Sequence, residues 1–299
     1  MTKKTRLLVL GASGMLGSVI FEKAIRSEKF SVIGQIRNPL TLNHFSAQLK
    51  ERTHIGVDVL KDDQLLRLFD DIKPNLVINC VGIIKQSKLV EDPLLTIPIN
   101  SVLPHRLAKL CNQINARLIQ ISTDCVFDGE NGRYTELDTA NANDLYGRSK
   151  LLGEIGHQEH VTTIRTSIIG RELTQKKSLL EWFLAQKSSV FGYTNAIFSG
   201  LPTNELAEII LDLIAPDFSM SGLYHVSADP ISKYDLLQMI KETYQLDVAI
   251  NPSSSFKIDR SLDCTKFKKK TGYVSKNWEQ LVRAMYNYQY EQENLEYQS

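Results

Sequence analysis

The chain has 299 residues, of which 42% are hydrophobic and 23% charged, and its formal net charge at pH 7 is +1. A near-neutral charge gives no electrostatic reason to expect nucleic acid or an anionic membrane as the main partner. No apolar run approaches the roughly 18 residues that a membrane-spanning helix requires, and Leu7–Leu10 is too short for a signal sequence. We therefore expect a cytoplasmic protein with reduced thiols and no membrane partner, folded as one large domain or two modest ones.

The cysteines and histidines lack the spacing of a metal site. The four cysteines are far apart and form no Cys-x-x-Cys pair, and the closest histidines, His157 and His160, suit the exposed end of a helix. The sequence therefore predicts no metal ligands.

A strand, a glycine-rich turn and a helix open the chain. Leu7–Leu10 is typical of a buried parallel strand, and the amphipathic segment 18–26 is typical of a helix. Between them, Gly11 allows a tight turn, Gly14 lets the backbone approach a pyrophosphate, and Gly17 lets the helix pack on the strand. The predicted dinucleotide-binding residues of this turn are Gly11, Ser13, Gly14, Met15, Leu16 and Gly17. A glycine-rich turn without a ligand remains the alternative.

The ends of the next strands indicate which dinucleotide binds. After the predicted strand Phe30–Ile36, where an acidic residue would bind the ribose of a cofactor without a 2′-phosphate, the chain has Arg37. An arginine suits a 2′-phosphate, and Ser13 could add a hydroxyl, so we predict NADPH. NADH stays open, because Arg37 could also be a solvated surface residue.

Two further predicted strands end in residues that could contact the cofactor. The strand His54–Val59 ends at Asp58 and Val59, and the Asp58 carboxylate could accept a hydrogen bond from the adenine amino group. The strand Leu76–Cys80 leads into Val81 and Gly82, at the edge where a doubly wound sheet binds its ligand. Cys80, Val81 and Gly82 are therefore predicted cofactor contacts.

Polar side chains follow at the same predicted edge. Lys85, in the segment after the fourth strand, could contact a substrate phosphate or could simply be solvated. A helix is predicted over 98–113, with Asn100 near its start. The fifth strand, 117–122, leads into Thr123 and Asp124, which places a hydroxyl and a carboxyl group at the carboxyl end of that strand.

Tyr146 and Lys150 are four residues apart in a stretch that we predict to be helical, so both side chains would lie on one face. A phenol has a reference pKa of about 10, and a neighbouring ammonium group lowers it. Such a pair can act as a general acid toward a carbonyl oxygen that receives a hydride.

The alternation of strands and helices up to the sixth strand, 161–166, predicts a parallel sheet. Further helices are predicted over 179–186, 203–215, 232–244 and from 278 to about 290, with a strand over 222–227, a solvated helix face over 266–270 and a frayed polar tail over 291–299. The predicted fold class is α/β, a Rossmann-like doubly wound parallel sheet formed by 1–169 and 203–227. Residues 170–202 and 228–299 are predicted to form a smaller C-terminal substrate lobe.

The glycine turn, Ser122-Thr123-Asp124 and Tyr146-x-x-x-Lys150 together resemble the extended short-chain dehydrogenase/reductase superfamily. Within it, the stretches 121–129, 144–154, 164–170 and 260–263 are similar to the dTDP-4-dehydrorhamnose reductase group, so the resemblance covers nearly the whole chain. It implies NAD(P)-dependent reduction of a nucleotide-linked 4-keto-6-deoxy sugar for surface polysaccharides, and it leaves a homodimer open.

The resemblance also implies residue roles. Tyr146 would donate the proton, Lys150 would hold the nicotinamide ribose, Thr123 would bind the keto oxygen, Asp124 would orient the sugar, and Asn100 would be a relay asparagine. The stretches 79–86 and 180–183 are similar to relatives that reduce UDP-2-acetamido-2,6-dideoxy-4-hexuloses. The predicted substrate contacts are Lys85, Cys125, Trp182 and Arg260.

Two other functions remain open. The acidic Asp124 beside Thr123 is compatible with an epimerase or a dehydratase that retains its cofactor. A cofactor-binding regulatory subunit would keep the same fold and serve a partner protein instead.

Overall fold

The computed structural model describes residues 4–174 and 176–296. The strands are β1 Thr5–Leu10, β2 Phe30–Ile36, β3 Thr53–Ile55, β4 Leu76–Asn79, β5 Arg117–Ile121, β6 Val161–Arg165, β7 Ile168–Ile169, β8 Ser189–Phe198, β9 Leu201–Pro202, β10 Gly222–His225, β11 Ile231–Ser232 and β12 Ala249–Asp259. The α-helices are α1 Met15–Arg26, α2 Ala47–Glu51, α3 Asp62–Ile72, α4 Pro93–Ile97, α5 Leu103–Gln113, α6 Leu145–Leu152, α7 Leu179–Leu184, α8 Thr203–Ile209, α9 Lys233–Tyr244, α10 Thr265–Thr271 and α11 Trp278–Glu296. Short π-helical turns, Pro98–Val102 and Ile210–Ile214, follow α4 and α8.

A seven-stranded sheet in the order β10-β6-β5-β4-β1-β2-β3 organises the fold. Parallel pairings join β3, β2, β1, β4, β5 and β6 in that order. The order reverses between β1 and β4, which is the topological switch point of a doubly wound sheet. Leu7–Leu10 in β1 is completely buried, as expected for a strand covered on both faces. The predicted Rossmann-like α/β fold is confirmed.

The chain divides into two compact units. The first unit contains the segments up to Ser122, Asp144–Ile164 and Ala207–Leu223, and the second contains Thr123–Asn143, Arg165–Leu206 and the chain from Tyr224 onward. The core of the first unit includes apolar side chains from the strands and from α3 and α5, such as Leu8, Leu68, Val77 and Leu107. The second unit holds a three-stranded sheet, β11-β8-β12, and the short pair β7-β9.

Several predicted boundaries differ from the structure. The predicted strand 54–59 is only the three-residue β3, because Gly56 adopts φ +79° and ends the extended backbone. Strand β12 was not predicted, since its Pro, Ser and Lys residues are poor strand formers and its pairing with β8 is a long-range contact. The backbone of α11 continues to Glu296, beyond the predicted end near residue 290. The frayed tail over 291–299 stays a prediction, and 297–299 lie outside the described residues.

Within residues 4–174 and 176–296, no helix is long and apolar enough to cross a bilayer. In the same part of the chain, His, Cys, Asp and Glu side chains form no group of three or more that could hold a metal ion.

Candidate active site

The turn between β1 and α1 has the geometry that a dinucleotide-binding turn requires. Gly11 has φ +75°, a left-handed conformation that residues with a Cβ rarely adopt. A methyl group on Gly17 would overlap the carbonyl oxygen of Gly11, so a glycine there lets α1 pack on the turn. Gly14 is the N-cap of α1, and among the described residues no side chain caps that end. The N–H groups of the first turn, which includes Met15 and Leu16, can therefore bind an anion such as a pyrophosphate.

Gln35 supports this turn and was not among the predicted site residues. Its side chain is buried in β2, and its Oε1 accepts a 3.4 Å hydrogen bond from the N–H of Gly11. Its Nε2 donates to the carbonyl oxygen of Val57 at 2.8 Å. A polar residue near the end of an apolar strand was the available signal, and the structure shows that it links the ends of β1 and β2 to the segment after β3.

The residues predicted to select the cofactor differ in exposure. Arg37 is exposed directly after β2, and Ser13 is half-buried in the glycine turn. Asp58 is half-buried, and its Oδ1 accepts a hydrogen bond from the N–H of Leu60 at 3.1 Å. The side chain of Val59 lies in the hydrophobic core of the first unit. Arg37 is the cationic residue of this set, and its exposed guanidinium is therefore accessible to a phosphate.

The segment after β4 lies beside Lys150. A Cβ built on Gly82 would be 4.0 Å from Lys150 Nζ and 3.4 Å from Asn100 Oδ1. Burial raises the pKa of the Cys80 thiol to about 12, against the opposing effect of Lys150, so the thiol is neutral near pH 7. Val81 follows Cys80 and is half-buried. The predicted contacts Cys80, Val81 and Gly82 thus adjoin the predicted catalytic lysine.

Asn100 lies in the π-helical turn between α4 and α5, a local irregularity often found at functional sites. Its Oδ1 accepts from the N–H of Ile83 at 2.9 Å, and its Nδ2 donates to the carbonyl oxygen of Ile83 at 3.1 Å. The same Nδ2 donates to Ser149 Oγ at 3.2 Å. The Asn100 side chain therefore fixes the segment after β4 to α6, while its role as a relay stays a prediction.

Helix α6 carries Tyr146 and Lys150, the pair that is predicted to act as a general acid. Asp144 is its N-cap, and its Oδ1 accepts a 2.7 Å hydrogen bond from the N–H of Gly147. Tyr146 and Lys150 both lie within α6, which confirms the predicted helix, and Tyr146 is half-buried. Lys150 is only 8% exposed, and its Nζ donates to the carbonyl oxygen of Ile121 at 2.6 Å. Burial lowers the pKa of Lys150 to about 8, despite opposing attraction to nearby negative charge.

Lys85 forms an ion pair within the first unit and remains partly exposed to solvent. Its Nζ lies 2.6 Å from Asp144 Oδ2, so the ion pair joins the segment after β4 to the N-terminus of α6. Both side chains are about 40% exposed, with values of 41% for Lys85 and 39% for Asp144. Its predicted contact with a substrate phosphate stays a prediction, because the ammonium already has a carboxylate partner.

Thr123, Asp124 and Cys125 belong to the second unit, as residues of a short 3-10 turn and its N-cap. Thr123 Oγ1 accepts a 3.1 Å hydrogen bond from the N–H of Cys125 and donates to Asp124 Oδ1 at 3.1 Å. Burial raises the pKa of Asp124, and hydrogen bonds from Cys125 and Thr123 and the positive charges of Arg260 and Lys233 oppose that rise. Lys233, which the sequence did not indicate, therefore belongs to the electrostatic surroundings of Asp124.

The remaining predicted substrate contacts also lie in the second unit. Arg260 is half-buried, and its Nε donates to the carbonyl oxygen of Phe127 at 2.7 Å. Trp182 on α7 is 41% exposed, whereas its neighbour Phe183 is completely buried. A large aromatic ring that remains open to solvent can contact a ligand.

Comparison with known proteins identifies several relatives. The chain is 28% identical over 257 residues to a probable low-salt glycan biosynthesis reductase of Haloferax volcanii, covering 82% of each protein. It is 24% identical to a dTDP-4-dehydrorhamnose reductase of Aggregatibacter actinomycetemcomitans, over 95% of this chain and 99% of the relative. It is also 24% identical to the methionine adenosyltransferase 2 subunit beta of Xenopus laevis, over 88% of this chain and 82% of the relative.

Solved structures share the fold. A hypothetical dTDP-4-dehydrorhamnose reductase from Sulfolobus tokodaii is 26% identical with a TM-score of 0.75, covering 92% of this chain and 98% of that one. A dTDP-4-dehydrorhamnose reductase of Bacillus anthracis in complex with NADP is 21% identical with a TM-score of 0.77, covering 96% and 99%. The family model described as the RmlD substrate binding domain matches residues 5–290. This match confirms the predicted family, and the chain belongs to the RmlD substrate-binding-domain family.

Proposed function

We propose that this chain is an NADPH-dependent reductase of the 4-keto group of a nucleotide-linked 6-deoxy sugar, acting in the synthesis of surface-polysaccharide precursors in the cytoplasm. The observation that carries the proposal is α6, on which Tyr146 and the buried Lys150 lie one turn apart near the segment after β4. Family membership and the similarity to reductases of dTDP-4-dehydrorhamnose and of glycan biosynthesis support it.

In this proposal, Tyr146 protonates the keto oxygen. Lys150 lies one turn away, and its positive charge stabilises negative charge on a phenolate. An ammonium group has three donors, and one of them is bonded to Ile121, so others can bind the nicotinamide ribose. Thr123 keeps its predicted role of hydrogen-bonding the keto oxygen, for which its one hydroxyl hydrogen must turn away from Asp124, and Asp124 keeps the role of orienting the sugar. Hydrogen bonds to the keto oxygen stabilise the negative charge that develops on it. Asn100 keeps its predicted role as the relay asparagine.

NADPH is the proposed cofactor, and when bound it supplies the hydride. The glycine turn with its uncapped helix end fits a pyrophosphate, and the exposed Arg37 fits a 2′-phosphate. A relative of known structure binds NADP, which agrees with this choice. NADH remains the second candidate.

The proposed substrate lobe consists of 170–202 and 228–299. Within the second unit, Arg260 and Lys233 place positive charge near Asp124, and Trp182 offers an exposed aromatic ring. Such a set suits a nucleotide sugar, which combines a diphosphate with an aromatic base. The sugar is of the dTDP-4-dehydrorhamnose or UDP-2-acetamido-2,6-dideoxy-4-hexulose type.

One assay tests the reaction. The wild-type protein and Tyr146→Phe are mixed with NADPH and a panel of dTDP- and UDP-linked 4-keto-6-deoxy sugars, with NADPH absorbance as the readout and NMR on the product. Loss of the proton donor should lower kcat by roughly 10² to 10⁴-fold. An exposed tyrosine outside α6 provides the control, and Tyr193→Phe should retain full turnover. Undiminished turnover of Tyr146→Phe would refute the assignment.

The same assay separates the reductase from an epimerase or dehydratase. A reductase oxidises one NADPH per sugar, whereas an enzyme that retains its cofactor shows no net change. A regulatory subunit is the second candidate, favoured by the similarity to a methionine adenosyltransferase subunit. That function predicts no reduction of any sugar in the panel and tight co-purification with an unrelated enzyme.

A further inference from the structure

Glu154 is an acidic residue near the predicted acid pair that has no assigned role so far. It follows α6 by two residues, and it accepts a short hydrogen bond from Ser122, with 2.6 Å between Ser122 Oγ and Glu154 Oε1. Ser122 is 5% exposed and directly follows β5. A carboxylate bonded to a buried hydroxyl has a defined position, because the short bond is charge-assisted.

Lys150 and Glu154 reach consecutive residues of one strand end. Lys150 Nζ donates to the carbonyl oxygen of Ile121 at 2.6 Å, and Glu154 Oε1 accepts a hydrogen bond from Ser122 Oγ. The two charged residues are four positions apart, and their polar ends contact neighbouring residues. The attraction between Glu154 and Lys150 therefore acts at the carboxyl end of β5.

The backbone around Glu154 is held on both sides. Thr163 on β6 is completely buried, and its Oγ1 accepts from the N–H of Ile155 at 3.2 Å and donates to the carbonyl oxygen of Ile155 at 2.7 Å. On the other side, a methyl group on Gly153 would overlap the carbonyl oxygen of Asn100. Glu154 is thus fixed between two packed positions and is not part of a free loop.

The groups near Lys150 come from β4, β5 and α6. They include the Cys80 thiol after β4, the Ile121 carbonyl of β5 and the Glu154 carboxylate beyond α6. The Tyr146 phenol, also titratable, lies one turn earlier on α6. Burial lowers the pKa of Lys150 to about 8, and attraction to Glu154 and then to Cys80 opposes this. Because the raised pKa of Cys80 keeps that thiol neutral near pH 7, Glu154 supplies the negative charge.

We propose that Glu154 is a positioning residue of the reductase, which holds the Lys150 side chain in its charged form at the carboxyl end of β5 and uses Ser122 as its anchor. The inference rests on the proposed function for its catalytic meaning, since it assigns a task to Lys150. Glu154 itself does not contact substrate or cofactor in this scheme. Its effect on Lys150 is nevertheless a property of the protein alone and can be measured without substrate.

The first experiment titrates Lys150 directly. Acetic anhydride labels the protein over a pH series, peptide mass spectrometry gives the labelling rate of Lys150, and the exposed Lys109 on α5 serves as the internal reference. Glu154→Gln keeps an acceptor for Ser122 but removes the charge, so the midpoint for Lys150 should move about one pH unit lower, the size that one nearby charge produces. Glu159→Gln removes a charge from an exposed position in the same region and should leave the midpoint unchanged.

The second experiment uses activity. In Glu154→Gln the fall of kcat at high pH should begin at lower pH, while at the acidic end of the profile kcat should approach the wild-type value. Glu154→Asp restores the charge and should restore most of the profile. Ser122→Ala leaves the charge in place, so its Lys150 midpoint should lie between those of the wild type and Glu154→Gln.

These results separate the two proposals. If wild-type protein reduces no keto-sugar, the proposed function fails, and the titration of Lys150 still decides the role of Glu154. An unchanged Lys150 midpoint in a folded Glu154→Gln protein overturns the inference, whatever the activity. A variant that loses activity equally at every pH also contradicts it, because such a loss indicates a purely structural role.

Discussion

Arg37 is the residue on which the proposed preference for NADPH depends most directly. Its guanidinium follows β2, where the ribose of a dinucleotide would lie, and it is exposed. A hydrogen bond to a charged group contributes about 1.5 to 3 kcal/mol, and about 1.4 kcal/mol corresponds to a tenfold change in affinity. Arg37→Ala should therefore raise the KM for NADPH by about tenfold or more and leave the KM for NADH nearly unchanged, as measured by steady-state kinetics with both cofactors.

The control for this prediction is the loss of another long cationic side chain, away from β2. Lys109→Ala removes an exposed cation from α5 and should leave both KM values unchanged. Equal increases of the two KM values in Arg37→Ala would mean that Arg37 binds a group common to both cofactors. In that case the preference for NADPH would need another explanation.

At the scale of single residues, local spacing could be predicted from the sequence, whereas properties set by distant neighbours could not. The Tyr146–Lys150 spacing predicts two side chains on one helical face, because helical periodicity is a local property. The lowered pKa of Lys150 could not be predicted, since it arises from burial against parts of the chain that are distant in sequence, such as the end of β5 at Ile121. The same holds for Lys85, whose partner Asp144 is 59 positions away in the sequence.

At the scale of secondary-structure elements, the turn between β1 and α1 allows a matched pair of variants. A methyl group on Gly17 would overlap the carbonyl oxygen of Gly11, whereas one on Gly14 would have its nearest neighbour, the same oxygen, at 3.4 Å. Gly17→Ala should therefore lower the free energy of unfolding by on the order of 3 kcal/mol, because the backbone must move. Urea unfolding followed by circular dichroism measures this loss.

Gly14→Ala is the counterpart that separates binding from folding. It should change the free energy of unfolding by less than about 1 kcal/mol, the scale of exchanges at a helix N-cap. It should weaken NADPH binding by about tenfold, equivalent to about 1.4 kcal/mol, because the methyl group occupies the approach to the first-turn N–H groups. If Gly14→Ala binds NADPH as tightly as the wild type, the glycine turn does not hold the pyrophosphate.

Elements with a strong local pattern could be predicted, and elements that depend on distant partners could not. The apolar run of β1 and the segment Phe30–Ile36 have the expected positions, and α9 begins one residue after the predicted Ser232, its N-cap. The π-helical turn at Asn100 interrupts what the sequence predicts as one helix over 98–113. Its side chain is bonded to Ile83 and Ser149, and neither partner is visible in the local pattern.

At the scale of the whole molecule, the parallel sheet could be predicted from the alternation of strands and helices, whereas the second unit could not. The β-α alternation predicts a parallel sheet, and the observed order reverses between β1 and β4. The second unit is assembled from separate stretches of the chain, including Thr123–Asn143. Contacts between residues far apart in sequence define such a unit, so composition and periodicity give little information about it.

His225 connects several of these stretches and gives the second unit a pH-dependent contribution to stability. It is completely buried, its Nδ1 lies 3.0 Å from the carbonyl oxygen of Tyr134, and its Nε2 lies 3.4 Å from Arg165 Nη1. Burial and then the positive charge of Arg165 lower the pKa of His225 to about 4, although Asp263 and hydrogen bonds oppose the shift. The imidazole is therefore neutral in the folded protein at pH values where a free histidine is charged.

The sign of the effect follows from proton binding. Between pH 6.5 and about 4 the unfolded chain binds a proton at His225 and the folded chain does not, so the free energy of unfolding falls as the pH is lowered. One pKa unit corresponds to about 1.4 kcal/mol, so the loss should reach on the order of 3 kcal/mol near pH 4. Urea unfolding of the wild type at pH 7.0, 5.5 and 4.5 should show most of this loss, because the ordinary pKa of aspartate, 3.8, lies below this range.

His225→Gln removes the titrating group and therefore measures how much of the pH dependence of stability comes from His225. This variant should be less stable than the wild type at pH 7, because the amide does not fill the space of the imidazole ring. Its stability should nevertheless change less between pH 7.0 and 4.5, so the two proteins converge as the pH falls. His157→Gln, at an exposed position, should retain the wild-type pH dependence. A buried neutral histidine must contribute to the pH dependence of stability in this range. If the curves of unfolding free energy against pH are parallel for His225→Gln and the wild type, the acid sensitivity comes from other groups.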